Sequence, residues 1–151
     1  MRKIDKIMCF VIAIIVGTLA YFLRLDYTKI AAEGLTLSSI VLAVYVAAII
    51  GLINTDLAKK MAATLSAPKS EYTQLWQLTT YFRHASAYAI ATIIISSIVL
   101  LIPEQEPGVE NLVINVVNQI LGISGVIVYA LNLMFMGLIL RFMLNRQIWN
   151  R

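Results

Sequence analysis

The sequence is short of nearly everything from which soluble enzymes build their chemistry. Among 151 residues there is one cysteine, Cys9, one histidine, His84, and eight acidic side chains. One cysteine excludes a disulfide framework or a cysteine-rich metal site within a single chain, because each needs at least two thiols. One histidine, beside Arg83 and far from any clustered carboxylates, leaves no ligand set for a metal and no partner for acid–base work. No glycine-rich phosphate loop is present, since the close pair Gly122 and Gly125 lies inside an apolar run. These absences predict a protein that is not an enzyme and holds no cofactor and no metal.

Charge is missing from four long stretches, residues 7–23, 34–55, 85–103 and 111–140. The chain is 60% hydrophobic and 13% charged, with a mean hydropathy of +0.84, which is too apolar for a soluble domain. At about 1.5 Å per residue and a hydrocarbon core of about 30 Å, each stretch is long enough to cross a bilayer as a helix, the first only just. Backbone polar groups in lipid must be satisfied within the segment, and the runs lack strand-like alternation. The expected fold is therefore all-α: a single integral membrane domain of four transmembrane helices packed as a four-helix bundle, its third and fourth helices extending beyond the bilayer.

The boundaries follow from the charges. Spans are expected at 7–23, 34–55, 85–103 and about 120–140, the last preceded by an external or interfacial helix from 111. A loop at 56–84, a second at 104–110 and a tail at 141–151 complete the chain. The opening MRKIDK, followed by an apolar run and Thr18-Leu19-Ala20, resembles a secretory signal peptide. The apolar run is longer than the roughly 7–15 residues usual there, which favours a retained first span.

Lysine and arginine in short loops mark the cytoplasmic side. Ten of the twelve basic residues, Arg2, Lys3, Lys6, Lys59, Lys60, Lys69, Arg83, Arg141, Arg146 and Arg151, fall at the termini and in the second loop. The third loop, PEQEPGVEN, has three glutamates and no base. Both termini and the second loop are thus expected in the cytoplasm of a cell, plasma or inner membrane. The net charge of +4 is a matter of topology and lipid contact, with no nucleic acid partner expected.

Within the second loop Leu57, Met61 and Leu65 recur every four residues, a short interfacial helix that Ser66-Ala67-Pro68-Lys69 breaks, with Ser70 as the cap of the next. Trp76, Tyr81, Arg83, His84 and, at the far end, Arg141 are expected as membrane-interface anchors. The loop could also dock a soluble partner.

Two patterns in the spans call for an explanation. The first is polar: Asn111, Asn115, Asn118, Gly122, Gly125, Tyr129, Asn132 and Met136 alternate by four and three, one stripe on a helix. Placed from Arg141, Tyr129 and Asn132 come near mid-bilayer, so Asn132 must face another helix, a second copy or water. The second pattern is small: Ser39, Ala43, Ala47 and Gly51 in the second span, and Ala13 and Gly17 in the first, let helix backbones approach closely. The plainer expectation for such faces is that they hold one chain's helices together. The pentapeptide SSIVL occurs at 38–42 and 96–100, with flanks that do not match, and is taken as chance.

Transport coupling needs an ionisable group at depth, and none of the four stretches holds one. Small four-helix multidrug exporters share the helix number but require a membrane-embedded glutamate in the first helix, which 7–23 lacks. What remains is a small subunit that oligomerises, with itself or with a partner membrane subunit. The alternative is an oligomeric pore or holin-like protein lined by the polar stripe.

Overall fold

The computed structural model describes residues 3–23, 25, 27–65, 72–102 and 112–149. They form α1 (Lys3–Phe22), a 3-10 turn (Tyr27–Ile30), α2 (Ala31–Ile53), α3 (Asp56–Ala63), α4 (Gln74–Leu101) and α5 (Leu112–Trp149). Among the described residues there is no strand, one isolated bridge between Leu65 and Thr73 aside. Four of the helices are long and apolar enough to cross a membrane, over Asp5–Phe22, Tyr27–Ile53, Gln74–Leu101 and Asn115–Met143. Only 11% of the first span and 28% of the last is buried inside the chain, so most of this apolar surface faces outward. Helices apolar all round and left bare are suited to lipid, where such surface costs nothing.

Local chemistry starts the shorter elements. Thr55 caps α3 by accepting from the Ala58 amide at 3.3 Å, and Thr73 caps α4 by accepting from the Trp76 amide at 3.2 Å. Thr73, not Ser70, is therefore the cap of α4, and residues 66–71 lie outside the described ones. Ala58 and Met61 of α3 turn onto α4, while Leu57 and Leu65 stay exposed. The Gln74 amide donates to Thr64 O at 2.9 Å and its Nε2 to Leu65 O at 3.0 Å, which pins together the two ends of the intervening loop.

Helix bounds extend past the charge-based spans. Charged side chains do not stop a helix, so α1 begins at Lys3, α4 starts eleven residues before 85 and runs through Arg83, and α5 continues past Arg141. The interfacial helix and the fourth span are one helix, with no break near 120. The loop at 104–110 and Asn111 lie outside the described residues.

Packing follows the order α2, α4, α5, α1, with α4 between α2 and α5 and α1 resting on α5. Among the described residues α1 and α2 do not pack on each other, although they are consecutive. The four helices thus form a curled row, open where a closed bundle would join its first and last members. Two apolar clusters fill it. Tyr45, Met61, Leu78, Tyr81, Phe82, Ala85, Phe135 and Ile139 gather toward the end that holds the α2–α3–α4 connection. Tyr27, Ala31 and Val99 gather at the opposite end, where α1 passes to α2.

Candidate functional site

Hydroxyls in apolar helices are mostly satisfied by their own backbone. Thr36, Ser39, Thr79, Thr80, Thr92 and Ser124 each donate to the carbonyl four residues back. The side chains that instead bond between elements mark where the sequence has done something unusual.

Tyr27 is the first. It sits on the 3-10 turn after α1, yet its side chain is 1% exposed while Thr28, Lys29 and Ile30 beside it are open. Its hydroxyl and Ser96 Oγ of α4 are hydrogen-bonded at 2.8 Å. Glycines make the space. A Cβ on Gly125 of α5 would fall 2.6 Å from Tyr27 Cε1, and one on Gly34 of α2 would fall 2.9 Å from its hydroxyl. At Gly122 the same atom would be in ordinary contact, 3.7 Å from Tyr27 Cβ. The ring therefore needs Gly34 and Gly125 specifically, and three helices are tied by one side chain.

One to two helical turns deeper lies a second polar layer. Asn132 of α5, 2% exposed, donates through Nδ2 to Ser38 Oγ of α2 at 3.3 Å. Its Oδ1 is buried with no hydrogen-bond partner among the described residues. Thr92, Ser38 and Ser96 are wholly buried in the same part of the row. Below them the aromatic cluster of Tyr45, Phe82 and Phe135 closes the interior.

At the other end Asp5 of α1, ahead of the first charge-free stretch, is buried, 7% exposed. Tyr81 donates to its Oδ2 at 2.7 Å, and Gln77 Nε2 donates to the Tyr81 hydroxyl at 2.6 Å. Among the described residues no three histidine, cysteine or acidic side chains lie close enough to hold a metal ion.

The polar stripe divides accordingly. Gly122, Gly125 and Asn132 turn into the protein, where Tyr27 and Ser38 meet them. Tyr129 and Met136 are half-buried, Met136 against the aromatic cluster. Asn118 is half-buried and Asn115 exposed, beyond the reach of the cluster around Tyr27.

The small residues divide as well. Gly17 of α1 packs on α5, where a Cβ would lie 3.0 Å from Ile127 Cδ1, with Ala13 half-buried one turn away. Ser39, Ala43, Ala47 and Gly51 are all exposed, and nothing lies within 4 Å of a Cβ built on Gly51. The expectation that this face holds one chain together is corrected: α2 packs through Ala31, Gly34, Ser38 and Tyr45, about 100° around the helix.

The anchors behave differently from one another. Trp76 is exposed and stacks on Tyr72, centroids 4.1 Å apart, and Arg83 and Arg141 are exposed. His84 is half-buried, its Nδ1 3.0 Å from Thr80 O and its ring tilted against Phe135. Tyr81 turns inward to Asp5 and is no interface anchor. Tyr27, Gly34, Ser96 and Asp5 escaped the sequence reading. A signal existed for two of the partners: Ser38 and Ser96 open the two copies of SSIVL, and both are wholly buried.

Compared with known proteins, the chain matches no family model, no curated protein and no solved structure.

Proposed function

We propose that the chain is a non-enzymatic multi-pass membrane subunit that works by assembling, with further copies of itself or with a partner membrane protein. The observation that carries this reading is the outward face of α2, where Ser39, Ala43, Ala47 and Gly51 stand exposed among the described residues, with nothing within 4 Å of a Cβ at Gly51. Against lipid such residues gain little, whereas against a second helix they allow backbones to approach and pack. The four apolar spans support membrane insertion, and the ten-to-two distribution of basic residues supports cytoplasmic termini in a plasma or inner membrane. Lys59 and Lys60 on α3, with the exposed Tyr72–Trp76 stack, offer the loop at 56–84 to anionic headgroups or to a soluble partner.

A pore lined by the α5 stripe draws less support, because Tyr27 and Ser38 meet Gly125 and Asn132 from within the chain. Conductance of protein reconstituted in liposomes tests that alternative directly. The assembly reading is tested by light scattering of the detergent-solubilised full chain and its Ala47→Ile variant. The variant should lose the higher-mass species while keeping its melting temperature. An unchanged mass, or a wild type that is monomeric throughout, removes the reading.

A further inference from the structure

Three helices carry a cation at one depth. Asp5 of α1, Tyr81 of α4 and Phe142 of α5 lie side by side, since Tyr81 donates to Asp5 Oδ2 at 2.7 Å and its ring meets that of Phe142 with centroids 6.3 Å apart. Lys6, Arg83 and Arg141 each follow one or two residues toward the middle of the spans, about 1.5–3 Å of helix rise. All three are exposed, and among the described residues none has a hydrogen-bond or ion-pair partner. The described carboxylates near this end are already engaged: Asp5 is buried against Tyr81, and Asp56 pairs with Lys59 at 3.0 Å. The three cations thus form a collar that the chain does not neutralise. It has a gap at α2, which Tyr45 sets beside Phe82, centroids 5.8 Å apart, and which holds no charge between residues 34 and 55. Beneath Arg83 the outward face of α4 is apolar, with Ala87, Ile90 and Ile94 exposed at spacings of four, three and four.

We infer that this collar binds anionic phospholipids of the leaflet it faces, with the outward face of α4 at Arg83 as its best-defined seat. The guanidinium takes the phosphate, where its fork of donors pairs two oxygens at once, and an acyl chain runs down Ala87, Ile90 and Ile94. A zwitterionic lipid offers the same phosphate but brings an ammonium that the unneutralised cations repel, whereas an anionic lipid brings none. The apolar face directly beneath the charge selects a ligand with chains as well as charge, which a soluble acidic partner lacks. The inference rests on the membrane reading given above and not on assembly. It leaves α2, the one span with no cation at this depth, free for contact with protein.

Quenching of tryptophan by brominated lipid tests this in the full chain reconstituted in bilayers. With the two native tryptophans removed by Trp76→Phe and Trp149→Phe, Ala87→Trp places a single reporter one turn below Arg83. Val44→Trp, also at an exposed position, places one at similar depth on the cation-free α2. At position 87 brominated phosphatidylglycerol should compete about five-fold better than brominated phosphatidylcholine, as one cation beside an anionic surface allows. At position 44 the two lipids should compete equally. Arg83→Gln should bring position 87 to parity, and Arg83→Lys, which keeps the charge, should retain most of the preference. Arg83 bonds nothing among the described residues, so neither variant should lower the melting temperature in detergent. Parity at position 87 with Arg83 in place, an equal preference at position 44, or a preference that survives Arg83→Gln overturns the proposal. Quenching by neither lipid at either position overturns the membrane reading itself.

Discussion

The ring of Tyr27 occupies the place where a side chain on residue 125 would have to begin. A Cβ on Gly125 would lie 2.6 Å from Cε1 and 2.7 Å from Cδ1, well inside van der Waals contact, and the atoms in the way belong to a ring that is itself enclosed. Gly125→Ala should therefore destabilise the chain by roughly 1–3 kcal/mol, as overpacking of a filled core does. Gly122→Ala, facing only ordinary contacts at 3.7 Å, should leave the melting temperature in detergent nearly unchanged. Equal effects of the two substitutions would show that the ring does not sit as described.

Tyr27→Phe and Tyr27→Ala should separate the hydroxyl from the ring. Losing the 2.8 Å bond to Ser96 should cost about 1 kcal/mol, whereas losing the buried ring should cost on the order of 3–5 kcal/mol. Thermal unfolding of both variants with Ser96→Ala gives the check, since Tyr27→Phe and Ser96→Ala should be strongly non-additive.

Asn132 bonds Ser38 at the long distance of 3.3 Å and leaves its oxygen unpaired, so the pair is worth little. Asn132→Leu should change stability by less than about 1.5 kcal/mol, because a weak bond and an unpaired acceptor disappear together. Asn132→Asp should be severely destabilising, since it puts a carboxylate among Ser38 and apolar neighbours with no cation. A folded, thermally robust Asn132→Asp chain would mean that water reaches this layer.

Tyr81→Phe should weaken the attachment of α1, because it removes a hydrogen bond to the buried Asp5 carboxylate and an acceptor of the Gln77 amide. A loss of roughly 1–3 kcal/mol is expected, with proteolysis near the N-terminus as a local readout. Tyr81→Phe indistinguishable from wild type in both measurements would place the stability of α1 elsewhere.

Topology is open to cysteine labelling in a Cys9→Ser background. Thr28→Cys should react with an impermeant thiol reagent on intact cells, and Lys59→Cys only after permeabilisation. The reverse pattern would invert the orientation drawn from the basic residues.

The four apolar helices were legible in the sequence because hydrophobicity over twenty-odd residues needs no partner to be read. For Asn132 the sequence said only that the amide would not face lipid, and left another helix, a second copy and water equally open; that it meets Ser38 depends on the packing. The packing face of α2 was not legible. Ala31, Gly34 and Ser38 are as small as Ser39, Ala43 and Ala47, and which stripe is buried depends on Tyr27 and Ser96, which come from elsewhere in the chain. Tyr27 itself sat between Arg24, Asp26 and Lys29, where local composition says loop, and Gly34 seven residues on and Gly125 on the distant α5 make room for it. Asp5 was not singled out for a related reason: its partner Tyr81 lies 76 residues away.

The row order has a consequence for how the chain is made. Helix α1 leaves the ribosome before α2, α4 and α5, but it packs on α5, the latest of these to emerge, as Gly17 against Ile127 shows. Until then it lacks its main partner, and Tyr27 lacks one wall of its slot, so α2 and α4 must associate before the two ends of the chain can close on them. A chain terminated after α4 would thus be more than one helix short: α1 would keep its Asp5–Tyr81 bond to α4 but lose its packing partner, and Tyr27 would keep Ser96 but lose the wall at Gly125. Helix α5 acts as the clasp of the four-helix row.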